Sequence, residues 1–86
     1  MSSEPIQIKI LLFAALREAV GKNELTLEVA PRVTPTEVWN RLVTDHPALK
    51  DYDNTVMVAV NQEYAQPWVE LKAGDEVAFI PPISGG

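Results

Sequence analysis

Thr34-Pro35-Thr36-Glu37 sets the start of a helix near the middle of the chain. Threonine at the N-cap and glutamate three residues on form a capping box, in which each side chain satisfies a backbone N–H that the first turn leaves without a partner. Proline at the first helical position loses nothing by lacking an N–H there. Val33 and Val38 stand where they close a hydrophobic staple across the same turn. Val38, Trp39, Leu42 and Val43 then follow at helical spacing, predicting a helix with one buried stripe that ends near His46-Pro47. A chain of 86 residues cannot divide its apolar side chains between two cores, so the remaining elements must pack against this helix.

Those elements read mainly as strands. Ile6, Ile8, Ile10 and Leu12 alternate with Gln7 and Lys9, predicting a strand over 6–13 with one buried face. Leu11 and Phe13 fall on its other face, where an apolar surface near a strand end is a candidate docking patch. Residues 14–20 are good helix formers and stop at Gly21, which predicts a two-turn helix with a left-handed C-terminal cap. Leu25, Leu27 and Val29 give a second strand ended by Pro31, and Val56, Val58 and Val60 a third, broken by the turn-prone Asn61-Gln62-Glu63. Pro67 limits 64–71 to a short edge element at best. After a turn at 72–75, residues 76–80 form a last strand that buries Val77 and Phe79 and turns Ala78 and Ile80 outward. The order predicts an α+β fold of the ubiquitin-like β-grasp kind: one mixed sheet around one main helix, with a short extra helix. Residues 1–80 form the domain and 81–86 an extended Gly-Gly tail.

Several functions are disfavoured on composition. A net charge of −5 opposes nucleic-acid binding and favours a protein partner with a basic contact surface. The longest apolar stretch, 10–16, is too short for a membrane span, and the first residues carry no signal-peptide pattern, so a cytoplasmic location is expected. With no cysteine, no side-chain thiol can act as nucleophile, metal ligand or sulfur store. The lone His46 has no second His or Cys to complete a metal site and reads as a helix-terminal residue, so no metal is expected. Asp75-Glu76 reads as a solvated turn, since neighbours entering a strand point to opposite faces; Asp51 and Asp53 read as a polar link at 51–54. Trp39 and Trp68 read as core or rim packing.

The tail Pro81-Pro82-Ile83-Ser84-Gly85-Gly86 is the chemical candidate. Two prolines hold the exit extended, and six residues reach roughly 20 Å, long enough to enter another protein's active site. Gly85 and Gly86 lack Cβ atoms and fit a narrow channel. A carboxylate at Gly86 can be activated with ATP as an acyl-adenylate and then attacked by a sulfur donor. The product is a thiocarboxylate, a nucleophilic sulfur that needs no cysteine.

The run from Gly74 through Asp75-Glu76-Val77-Ala78-Phe79-Ile80 to the tail resembles the C-terminal signature of the small subunits of molybdopterin synthase. Leu12-Phe13-Ala14 with Arg17-Glu18, and Ala59-Val60-Asn61-Gln62, are similar to the same family; only residues 1–4 form an extension. The resemblance implies a sulfur carrier with no permanently bound cofactor, carrying ATP-derived AMP transiently at Gly86 on an activating enzyme. It implies loading of Gly86 with sulfur and insertion of the tail into the synthase large subunit, in a heterotetramer of two small and two large chains. There the sulfur goes to cyclic pyranopterin monophosphate, and catalysis belongs to the large subunit. Phe13, Tyr64, Ile80 and Ile83, with Arg17 at the rim, are the expected docking residues. Carriers for thiamine or tRNA thiolation, ubiquitin-like modifiers and a plain interaction domain share the fold and remain open alternatives.

Overall fold

The computed structural model describes residues 4–81. Of the tail, Pro81 lies within it; Pro82, Ile83, Ser84, Gly85 and Gly86 lie outside the described residues.

Strand β1 (Ile6–Leu12) places Ile8, Ile10 and Leu12 in the core, as their alternation requires. It ends one residue earlier than expected, because Phe13 is the N-cap of helix α1 (Ala14–Val20), with φ −122° and ψ 151°. Ala14 takes φ 51°, a left-handed value that costs a non-glycine residue about 1–2 kcal/mol and reverses the chain sharply behind Phe13. Gly21 caps α1 at φ 86°, donating its N–H to the Arg17 carbonyl at 2.8 Å. Strand β2 (Glu24–Val29) follows, and Pro31 with Arg32 at φ 67° turns the chain toward the main helix.

Helix α2 (Pro35–Asp45) carries the complete capping box: the Glu37 N–H donates to Thr34 Oγ1 at 3.3 Å and the Thr34 N–H to Glu37 Oε1 at 3.0 Å. Val38, Trp39 and Leu42 are buried, while Val33 and Val43 pack partly buried against the same core. His46 caps the helix, its N–H donating to the Leu42 carbonyl at 2.7 Å. A 3-10 helix over Pro47–Tyr52 then brings Leu49 into the core. It takes up half of what the sequence suggested was a plain polar link, and Asp53 beyond it accepts a 2.7 Å hydrogen bond from the Trp39 indole N–H.

Strands β3 (Met57–Val60) and β4 (Glu63–Tyr64) are joined by Asn61 and Gln62, with φ of 53° and 72°. Two successive positive φ values mark the primed turn whose twist suits a two-residue hairpin. Strand β5 (Glu76–Ile80) completes a five-stranded sheet in the order β2-β1-β5-β3-β4. β5 runs parallel to β1 and antiparallel to β3. The last strand therefore occupies the centre of the sheet. Both helices bury their apolar faces against one side of it, with Leu16, Val38, Trp39 and Leu42 meeting Ile8, Ile10, Val58, Val77 and Phe79.

Trp68 is 69% exposed instead of packed, since it occupies a turn in which the Val69 N–H donates to the Gln66 carbonyl, while the Pro67 carbonyl accepts from the Thr36 backbone N–H and hydroxyl. Those bonds pin the backbone to α2 and leave the indole outside. The Asp75-Glu76 turn is also more than a solvated corner. Asp75 Oδ1 accepts from Asn61 Nδ2 at 3.0 Å, Asp75 Oδ2 accepts from the Lys72 N–H at 2.7 Å, and Asn61 Oδ1 accepts from the Glu76 N–H at 3.0 Å.

Candidate functional site

The central position of β5 decides where the tail begins. Ile80 ends β5 in the middle of the sheet, flanked by β1 and β3, and lines a hollow on the open sheet face. On that face, strand pairing aligns Leu11 with Ala78, Ala78 with Ala59, and Ala59 with Tyr64. One row thus crosses four strands, large at both ends and small in the middle. Phe13 and Ile80 rise on one side of it, Gln62 and Glu76 on the other, and together these residues enclose a hollow of about 250 Å³.

Ala59 and Ala78 are 7% and 8% exposed although they point away from the helices. Ala78 thus faces outward as its position in the strand requires and is buried nonetheless, shielded by its larger neighbours. Tyr64 and Phe13, by contrast, are 73% and 45% exposed, and Met57 at the sheet's edge is 48% exposed. Large apolar side chains standing in water around a recessed floor are the signature of a surface built to be covered.

Of the expected docking residues, Phe13, Tyr64 and Ile80 come together around the hollow. Arg17 lies on α1 and is not among the residues that line it. Ile83 lies outside the described residues. Leu11 was visible as an apolar residue on the wrong face of its strand, but Ala59, Ala78, Gln62 and Glu76 join the site only through the strand order. A larger hollow, about 320 Å³, lies elsewhere, between the start of α2, residues 53–56 and Pro67. It is lined by Trp39 and Phe79, whose rings form a tilted pair with centroids 5.2 Å apart, and it shares no lining residue with the one beside Ile80. Among the described residues there is no group of His, Asp or Glu side chains arranged to hold a metal ion, and no helix is long and apolar enough to cross a membrane.

Fold and exit define the class: a ubiquitin-like β-grasp domain whose central C-terminal strand ends beside an exposed apolar hollow. Known proteins agree. The ThiS family model matches residues 10–86. The molybdopterin synthase sulfur carrier subunit of Chlamydomonas reinhardtii is 45% identical over 94% of this chain and 100% of its own length, and that of Homo sapiens 39% identical over 93% and 94%. Among solved structures, SAMP1 from Haloferax volcanii superposes with a TM-score of 0.81 at 32% identity, covering 93% of this chain and 99% of that one. This chain belongs to the ThiS family and, within it, to the molybdopterin synthase sulfur carrier subunits.

Proposed function

We propose that the chain serves molybdopterin synthase by carrying sulfur on Gly86. An activating enzyme joins the Gly86 carboxylate to the α-phosphate of ATP, releasing pyrophosphate. A sulfur donor then displaces AMP and leaves a thiocarboxylate. The domain docks on the synthase large subunit through Phe13, Tyr64 and Ile80, and Pro81 and Pro82 direct the tail into the active site. Sulfur passes to cyclic pyranopterin monophosphate, water restores the carboxylate, and the catalytic groups belong to the large subunit. Two small chains flank a pair of large ones, and the cycle runs in the cytoplasm.

One observation carries this reading: the strand leading to the tail is the central one and emerges beside an apolar hollow in a chain 45% identical to a named sulfur carrier subunit. The same geometry suits a partner that grips the domain and takes the tail in one binding event. The test is reconstitution with purified large subunit and cyclic pyranopterin monophosphate. Thiocarboxylated carrier yields molybdopterin, and the chain lacking Gly86 yields none. Product formed by the shortened chain overturns the proposal.

The likeness to SAMP1, a small archaeal modifier protein, favours a second reading in which the adenylate ends as an isopeptide with a target lysine. Conjugate ladders after incubation with an activating enzyme and ATP identify that fate. Turnover with a thiazole-forming or tRNA-thiolating enzyme in place of the synthase identifies a thiamine or tRNA carrier.

A further inference from the structure

We propose that the hollow on the open sheet face is a socket for one large apolar side chain of the docking partner, with a cationic residue beside it paired to Glu76. The inference rests on the carrier reading above and adds what the partner must present.

Its shape is the first ground. Alanine is depleted in strands, where β-branched and aromatic residues fit better, yet Ala78 on β5 and Ala59 on β3 face each other across a strand pair. Cross-strand partners bring their Cβ atoms within about 5 Å, so two methyl groups side by side leave a floor with room above it. Leu11 and Tyr64 close the ends of that row, and Phe13 and Ile80 close one side. A flat docking surface has no need of a recess. A walled recess of about 250 Å³ holds a single anchor, the arrangement in which one buried side chain dominates an interface.

Its charge is the second ground. Glu76 lines the hollow, is partly buried, and has no ion-pair partner among the described residues. Lys9, aligned with Glu76 in the β1–β5 register, directs its ammonium to Glu24 at 3.8 Å instead. Docking removes water from Glu76, and a buried carboxylate without a partner is costly, so the incoming segment must supply a cation. A second copy of this chain suits the hollow poorly, because each copy is acidic overall and its own hollow presents Glu76 with no Lys or Arg among the lining residues.

The test is calorimetric binding of full-length carrier to the synthase large subunit. Ala78→Leu fills the socket from its floor, its added atoms entering the hollow that Ala78 lines, so the melting temperature should hold. Affinity should fall at least ~30-fold. Ala59→Leu fills the same space from β3 and should act alike, which settles the matter should either variant melt early. Glu76→Gln should weaken binding about 5- to 10-fold and flatten its salt dependence. Binding by both folded alanine variants within about 2-fold of the original overturns the socket. If Phe13→Asp still abolishes binding in that case, the docking face stands without the socket; if Phe13→Asp also binds normally, the docking reading itself fails. A dimer of the free chain that Ala78→Leu dissociates assigns the hollow to a second copy and likewise overturns the proposal.

Discussion

Replacing Asp75 with alanine tests whether the turn before the last strand is a structural tie. Asp75 accepts two hydrogen bonds, from Asn61 Nδ2 at 3.0 Å and from the Lys72 N–H at 2.7 Å. Asn61 also sits at φ 53°, and its side chain and backbone hold Glu76 from both sides, accepting from the Glu76 N–H at 3.0 Å and donating to the Glu76 carbonyl at 2.7 Å. The site is exposed, so each lost bond is worth about 1 kcal/mol, and the pair about 2 kcal/mol. In a domain of this size, that lowers the melting temperature by ~8–16 °C. Asp51→Ala provides the control: the Asp51 side chain is exposed and takes part in no hydrogen bond or ion pair among the described residues, so its loss should stay within about 0.5 kcal/mol. Urea unfolding followed by circular dichroism measures both. Equal midpoints for the two variants refute the tie and return Asp75 to the solvated corner that its sequence suggests.

Three further outcomes are expected. Phe13→Asp should weaken binding to the large subunit at least ~30-fold, read by calorimetry. Its stability should change by less than about 1 kcal/mol, because Phe13 is 45% exposed and caps α1 without a side-chain bond, a place where aspartate supplies a capping oxygen. Trp39→Phe should cost about 2 kcal/mol in urea unfolding, since it deletes the 2.7 Å indole bond to Asp53 at a residue only 5% exposed. Gly21→Ala should cost about 1 kcal/mol by the same assay, all of it backbone strain at φ 86°, because an added Cβ meets nothing within 4 Å.

What was legible in the sequence is what local rules determine. The capping box at Thr34 and Glu37, the left-handed cap at Gly21 and the alternation of Ile8, Ile10 and Leu12 each depend on residues a few positions apart, and each is present. The Asn61–Asp75 tie joins turns 14 residues apart and becomes visible only once β3 and β5 are paired. The floor of the hollow was hidden for the same reason. An alanine in a strand carries no signal of its own, and Ala59 and Ala78 acquire meaning only because the register sets Leu11 and Tyr64 at either end of their row. Trp68 misled because an indole ordinarily signals burial, while here the hydrogen bonds of its neighbours decide its place. The tail was legible as chemistry, and the domain adds its point of departure at the centre of the sheet.

The carrier role rests on the Gly86 carboxylate, and weighing the chain tests it. Purified chain is incubated with its activating enzyme, ATP and a sulfur source, and the intact mass is recorded before and after, with fragmentation to locate the change. A gain of one sulfur less one oxygen is expected, confined to Gly86 and absent when ATP is omitted. An unchanged mass under conditions that load a known carrier, or a gain located anywhere but Gly86, contradicts the carrier role.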